Sequence, residues 1–356
     1  MHKTPQSEMR MNIMNAIHAL NQPVPNVMRL PRLRKRLLIL GTGQQAKELG
    51  HVLVAQRNSR YKVIGFLDRD PTRVGVRLVN PAIIGTFEQL FEIVERHDVR
   101  TIAVCLDDRR IGLPMETLLD FKSAGVEVVD GHQLFEQESG RLSIDLLKPS
   151  ALIFSSGFQR RAIIMGFKRL MDVLLSTAGL VALAPLFALV GTLIKLESDV
   201  PMFYRQMRTG LRGKPYMMWK FRSMQCDAEE DGARWAAVED PRITRVGRWL
   251  RKWRMDELPQ LINVVKGEMS LVGPRPERPV FVQKLRSKIP YYDLRHTVRP
   301  GITGWAQIRF RYAASPKDAH LKLQYDLYYL KNLSLVLDVR ILLETIRVVV
   351  RGKGSR

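Results

Sequence analysis

The longest apolar run in the chain extends from Leu170 to Ile194, opened by Lys168-Arg169 and closed by Lys195. A helix of that length matches the hydrocarbon core of a bilayer. Pro185 interrupts it and removes a helical hydrogen bond where lipid offers no substitute. Basic residues flank both ends, so charge gives a spanning helix no orientation. The pattern therefore predicts a re-entrant hairpin over 168–195, two half-length helices meeting at Ala184-Pro185 with both ends returning to one leaflet. A spanning helix and a buried soluble helix are the competing readings. Asp172 and Ser176, one turn apart, are expected to satisfy polar groups at the bend or the membrane boundary.

With 356 residues, 46% of them hydrophobic, the chain can bury sizeable cores, and its length suggests two domains. The formal net charge of +22 calls for an anionic partner, either membrane lipid or phosphorylated substrates. No nucleic-acid-binding motif is present, and the basic residues are spread through an apolar second half, so nucleic acid is set aside. Cys105 and Cys226 stand far apart in no metal or redox spacing. Residues 1–36 lack a signal peptide's continuous apolar core and read as a leader or linker.

Residues 37–150 read as a Rossmann-like α/β domain with a mainly parallel sheet. An apolar strand runs into Gly41-x-Gly43, with Ala46 at the third small position. These residues suit the tight turn of a nucleotide-binding fold, and Asp68 closes the second strand roughly where an acidic residue would meet a ribose hydroxyl. Further strands are expected at 101–106 and 126–129. A GxGxxA pattern is weak evidence alone, and the domain stops after about four strands. Nucleotide binding through Gly41, Gly43 and Asp68 therefore stays open beside a structural or regulatory role. Residues 151–165 form a connector.

Chemistry concentrates in 251–277, RKWRMDELPQLINVVKGEMSLVGPRPE. Asp256 reads as the N-cap of a short helix carrying Pro259 in its first turn, with Glu257 beside it. The helix dipole and nearby arginines are expected to favour the ionised carboxylate, which can hold a divalent metal or attack phosphorus. In Gly273-Pro274-Arg275-Pro276, two prolines display Arg275 from a rigid loop, where its planar fork suits phosphate oxygens. Alternation from Tyr216 to Phe221 predicts a strand sending Lys220 and Arg222 the same way, toward phosphates. Arg251 is a further phosphate candidate, and Arg299 is displayed before the Pro300-Gly301 loop. Asp227, Glu229, Glu230 and Asp231 read as a solvated face more readily than as metal ligands. Trp249 and Trp253 suit a headgroup interface. Helix 335–350 is assigned equally to the membrane surface and to the catalytic core.

Five stretches together resemble the bacterial sugar transferases, monotopic polyprenyl-phosphate glycosyl-1-phosphate transferases. They are Lys220-Phe221-Arg222-Ser223-Met224, Asp240-Pro241-Arg242-Ile243-Thr244, Asp256-Glu257-Leu258-Pro259-Gln260, Met269 through Pro276, and Arg299 through Trp305. The tail resembles members associated with exopolysaccharide and exosortase systems. The resemblance implies a mostly helical, monotopic catalytic domain over 166–356, with a re-entrant hairpin, on the cytoplasmic face of the bacterial inner membrane. It implies transfer of a sugar-1-phosphate from a UDP-sugar, with glucose or galactose the expected sugar, to a polyprenyl (undecaprenyl) phosphate, releasing UMP. Asp256 would be the covalent nucleophile, Glu257 would assist it, and both would hold magnesium (Mg2+). Arg275, Arg251, Lys220 and Arg222 would contact phosphate.

The N-terminal part resembles the Rossmann-like regulatory module that precedes the transferase region in larger members. Many of those begin with several transmembrane helices, which this sequence does not show ahead of the module. A homodimer is one arrangement for the longer members, and the oligomeric state stays open. Two other classes compete: a membrane-associated NAD(P)-dependent nucleotide-sugar oxidoreductase or epimerase using the glycine motif, for which the Tyr216-x-x-x-Lys220 spacing is read as coincidence because it lies beyond the membrane segment, and a non-catalytic membrane scaffold.

Overall fold

The computed structural model describes residues 34–56, 59–106, 112–145, 157–159, 161–197, 200–225, 240–310 and 316–350. The chain divides into two compact units, 1–141 and 142–356. The division falls earlier than the expected limit at 150 because Leu142 and Ile144 are buried in the second unit's core.

In the first unit, β1 (Lys35–Leu40), β2 (Tyr61–Asp68), β3 (Ile83–Thr86), β4 (Thr101–Val104) and β5 (Glu127–Asp130) form one sheet in the order β3-β2-β1-β4-β5. Every pairing is parallel. Leu37 through Leu40 are wholly buried, as a central strand covered on both faces requires. Alternation divides them: Leu38 and Leu40 pack with Val94 and Phe121, while Leu37 and Ile39 pack with Leu49, Leu53 and Leu134. The helices are α1 (Gln44–Ala55), α2 (Leu90–Arg96), α3 (Met115–Ser123) and α4 (Gly131–Ser139). Edge strand β3 was not anticipated.

The second unit opens with α5 (Ala162–Ala182) and α6 (Ala184–Glu197), bent by 59° at a break on Leu183. Ala184 and Pro185 fall in the first turn of α6, where proline costs least. No single helix among the described residues is long and apolar enough to cross a membrane, but this bent pair has the length and composition to enter one. The polarity of α5 is inverted. Lys168, Asp172 and Ser176 are its buried residues, while Ile163, Phe167, Leu170, Leu174, Leu175 and Val181 are exposed.

The remaining elements are a β6 (Phe203–Thr209)/β7 (Pro215–Phe221) hairpin, α7 (Arg245–Lys252), α8 (Gln260–Lys266), β8 (Ser270–Val272), α9 (Pro279–Arg286), β9 (Gly301–Thr303), α10 (Trp305–Arg309), α11 (Pro316–Lys331) and α12 (Leu335–Val350). β8 and β9 pair in parallel. The main core gathers Val272, Leu285, Tyr292, Trp305, Leu323, Leu327, Tyr329 and Ile341.

The polar stripe of α5 serves the protein interior rather than the bend, which corrects the expectation for Asp172 and for the flanking Lys168-Arg169. Lys168 Nζ donates to Asp338 Oδ2 at 2.7 Å and to the Val272 carbonyl at 2.9 Å. Tyr329 donates to Asp338 Oδ1 at 2.8 Å. Asp172 accepts from Leu271 N at 3.0 Å. Arg169 donates to the carbonyls of Val264 and Val265 at 2.6 and 2.8 Å, satisfying the end of α8. Helix α12 is likewise two-faced: Asp338 and Ile341 are buried, whereas Val336, Val339, Leu343 and Ile346 are exposed.

Removing one partner of the Lys168–Asp338 pair leaves a buried charge uncompensated, at about 3–5 kcal/mol. Lys168→Met is therefore expected to lower stability by that amount in detergent-solubilised urea unfolding. Lys168→Met/Asp338→Leu is expected to recover most of the loss.

Candidate active site

Asp256 does not cap α8. It lies in a tight turn over Met255–Glu257, entered through Arg254 in the left-handed region at φ 55°. Pro259, at φ −61° and ψ −15°, already has helical geometry, so the right-handed turn extends back from α8 and leaves Asp256 in the bend before it. Asp256 and Glu257 meet two cations there. Arg275 Nη2 lies 2.6 Å from Glu257 Oε1 and Nη1 lies 3.5 Å from Oε2. Lys220 Nζ is 3.2 Å from Glu257 Oε1 and 4.0 Å from Asp256 Oδ2. Asp256 is buried, and among the described residues no side chain donates a hydrogen bond to its carboxylate.

These surroundings pull the two acids apart. Burial pushes Asp256 above the ordinary carboxylate range; Lys220, Arg251 and Arg275 offset this only in part, and Glu257 adds to it. Burial acts the same way on Glu257, but Arg275 and Lys220 overcome it and hold Glu257 well below that range. Burial also lowers Lys220, with Glu257 and Asp256 opposing. Glu257 thus carries the fixed negative charge, and Asp256 is the more basic, uncommitted oxygen. The expectation that cations keep Asp256 ionised applies instead to its neighbour.

Two backbone devices set this geometry. Asn263, wholly buried on α8, accepts from Trp219 N at 3.0 Å and donates to the Met217 carbonyl at 2.8 Å. Its amide acts as an extra strand residue that pins β7, and therefore Lys220, beside the turn. The second device is glycine contact. A Cβ on Gly301 would lie 2.1 Å from Gly273 N, and one on Gly304 would lie 2.1 Å from Gly273 O. The Gly273-Pro274-Arg275-Pro276 and Pro300–Gly304 stretches need their glycines because their backbones touch.

The other expected residues scatter. Arg251 donates to Ser223 Oγ at 3.0 Å and still acts on Asp256 through its charge. Arg222 goes elsewhere: the β6–β7 ladder ends at Phe221, alternation lapses, and Arg222 Nε donates to the Pro201 carbonyl at 3.0 Å, away from the carboxylates. Arg299 donates to the Gly267 carbonyl at 2.8 Å, helping to close α8. Tyr216 and Lys220 lie on a strand, not on the helix a dehydrogenase pair requires. Cys226 and the Asp227–Asp231 acidic run lie outside the described residues. Asn263, Arg208 and Arg295 were missed by sequence reasoning. The one available signal was Asn263, a lone amide in an apolar helical run.

In the first unit, the structure brings the Gly41 turn and Asp68 together. Gly41 has φ +110°, and a Cβ there would lie 2.3 Å from the Cys105 carbonyl. Gly43, at φ −67°, needs no special freedom. Asp68 Oδ1 accepts from Arg69 N at 2.7 Å and Asp70 N at 3.2 Å, and Oδ2 takes Arg73 Nη1 at 2.6 Å and the Thr42 hydroxyl. A ribose would have to displace these partners.

Among the described residues no three His, Cys, Asp or Glu side chains gather as a metal cage. Two adjacent hard carboxylates, one with open acceptor sites, nevertheless fit magnesium, which commonly takes one or two carboxylates and completes its shell with water and substrate phosphate.

The model of the bacterial sugar transferase family matches residues 163–352. The chain is 39% identical over 304 residues to the UDP-N-acetylgalactosamine-undecaprenyl-phosphate N-acetylgalactosaminephosphotransferase of Aeromonas hydrophila, covering 84% of this chain and 69% of that protein. It is 32% identical to the undecaprenyl-phosphate glucose phosphotransferase of Komagataeibacter xylinus, covering 89% of this chain and 59% of that one. A match at 41% identity to the exopolysaccharide production protein PSS of Rhizobium leguminosarum bv. phaseoli covers 52% of this chain and 97% of that one. The chain belongs to the bacterial sugar transferase family.

The split between the two acids has a measurable consequence. Glu257→Gln leaves Lys220 and Arg275 without their shared anion and is expected to cost about 1–3 kcal/mol, after discounting for the one-third exposure of Arg275. Asp256→Asn relieves an acid that burial disfavours and is expected to change stability by about 0–1 kcal/mol, in the stabilising direction. Thermal unfolding at pH 7 distinguishes the two.

Proposed function

We propose that this protein transfers a sugar-1-phosphate from a UDP-sugar to undecaprenyl phosphate, with Asp256 as the nucleophile. The observation that carries this reading is the asymmetry of the acid pair: Glu257 is clasped by Lys220 and Arg275, while among the described residues no side chain donates a hydrogen bond to the Asp256 carboxylate beside it, Lys220 standing 4.0 Å away. In the first step an Asp256 oxygen attacks the β-phosphorus of the donor, and the bond from that phosphorus to the bridging oxygen breaks. UMP leaves with the electron pair, and an acyl phosphate carries the sugar. In the second step a phosphate oxygen of the lipid attacks the same phosphorus, and Asp256 is regenerated. The division suits two substrates of unlike solubility, which need not occupy the site together.

Arg275 and Lys220 are placed to stabilise charge on the phosphoryl oxygens, with Arg251 as a more distant cation. Asp256 and Glu257 would hold magnesium, which neutralises diphosphate charge when bound. The inverted polarity of α5 supports seating α5–α6 in the cytoplasmic leaflet, apolar side chains toward lipid and Lys168, Asp172 and Ser176 toward the protein. Exposed Trp249 on α7 and Trp253 just after its end suit the headgroup level. To the first unit we assign a structural or regulatory part, since Asp68 is already engaged by its own chain. The relatives' names include both N-acetylgalactosamine and glucose, so the donor panel must span both.

Reconstituted protein with undecaprenyl phosphate and magnesium is expected to release UMP from one or two of UDP-glucose, UDP-galactose and UDP-N-acetylgalactosamine. Asp256→Asn is expected to lower the rate by on the order of 10³-fold or more. UMP release that survives this change would overturn the assignment.

The nucleophile must be deprotonated, and its pKa is raised. In metal-free protein the Asp256 carboxyl, followed by its side-chain 13C shift, is therefore expected to titrate at a midpoint above the ordinary Asp value of about 3.9. Lys220→Met removes the first of the opposing cations and is expected to move that midpoint further up.

A further inference from the structure

Resting on the reading above, we propose that Arg295 is a positioning residue whose guanidinium, braced by Tyr292 and Asp326, sets Arg275 on Glu257. The loop that bears Arg275 cannot hold itself. Pro274 and Pro276 supply no N–H, so internal turn hydrogen bonds are scarce, and although Pro276 restricts Arg275 to extended conformations, the peptide plane between them is still set within that range by what its carbonyl bonds. Four successive carbonyls of this loop take donors from outside it. Pro274 O accepts from Gly301 N at 3.0 Å and Glu277 O from Thr209 N at 2.9 Å. Pro276 O accepts from Arg208 Nη1 at 3.2 Å, and Arg275 O accepts from Arg295 Nη2 at 2.8 Å.

The last of these acts on the catalytic arginine's own peptide plane, and it comes from a buried side chain, 6% exposed. The same guanidinium donates through Nη1 to Tyr292 OH at 2.7 Å and pairs with Asp326 Oδ2 at 2.9 Å. Asp326 lies on α11, 2% exposed. Two directed hydrogen bonds, to Tyr292 and to the Arg275 carbonyl, fix the plane of the guanidinium while Asp326 supplies a close opposite charge, a combination a lysine cannot reproduce. The chain of contact runs from α11 through Arg295 to the Arg275 backbone, and from the Arg275 side chain to Glu257. Among the described residues Arg295 makes no hydrogen bond or ion pair with either acid, so its influence on them passes through Arg275.

The test is a set of double-mutant cycles on the full-length reconstituted protein. Arg295→Gln is expected to lower kcat for UMP release by on the order of 10- to 100-fold, since a displacement of about 1 Å costs that much. In an Arg275→Lys background the same change is expected to cost less than about threefold, because the group being positioned is already gone. Arg295→Lys is expected to restore part of the loss. An equal fold-loss in both backgrounds would mean that Arg295 supports the fold alone and would overturn the proposal, as would an unchanged kcat.

A second cycle does not depend on turnover. The thermal-unfolding coupling between Arg275→Met and Glu257→Gln is expected to vanish in Arg295→Gln; persistence of that coupling also overturns the proposal. Should wild type release no UMP, the transferase reading fails while this second cycle still decides the positioning role. If Arg295→Gln does not fold, Asp326→Asn, which loosens the same guanidinium, takes its place in both cycles.

Discussion

Glu257 sits between two cations that reach it from separate parts of the chain, Lys220 at the end of β7 and Arg275 from the loop after β8. Buried charges of this kind persist only when each is compensated, so the fold must deliver both cations to one carboxylate. Much of the second unit serves that requirement. Asn263 holds β7 against α8, and the Gly273–Gly301–Gly304 backbone contact holds the arginine loop against β9. Lys168 and Asp172 on α5 bond to Val272 and Leu271, the residues just ahead of the loop. With Glu257 neutralised from both sides, Asp256 is left basic and uncommitted.

The same architecture links the apolar helix pair to the chemistry. Helix α5 turns its polar stripe toward the core and its leucines outward, the reverse of a water-soluble helix packed on a protein. Lys168 and Asp172 are not burdens carried into an apolar segment; they make the bonds by which that segment grips β8 and α12. An outward apolar surface and the loop that carries Arg275 thus share a few hydrogen bonds. This suits the proposed activity, in which one substrate comes from water and the other from a bilayer.

Local pattern made part of this legible. The apolar run of β1, a break just ahead of Ala184-Pro185, the hairpin strand at 215–221 and the convergence of Asp256, Glu257, Arg275 and Lys220 follow from period, proline placement and charge. What stayed hidden depends on distant partners. Arg222 was expected to follow Lys220 because strands alternate, but the ladder stops one residue before it. Arg299 looked displayed for substrate and closes α8 instead. Asp256 looked like an N-cap because Pro259 stands near it, yet the proline is itself helical in conformation. Nothing in the local sequence distinguishes Arg208 and Arg295 from the chain's many other basic residues, since their roles exist only once β6, α11 and the arginine loop are brought together.

The most direct test of the central claim is the intact mass of the protein after brief exposure to its UDP-sugar and magnesium with no lipid acceptor. The account predicts a gain of one sugar-phosphate, mapped to the peptide carrying Asp256, absent from Asp256→Asn and discharged when undecaprenyl phosphate is added. An adduct on any other residue, or a fully active enzyme that never acquires one under rapid quench, would contradict it.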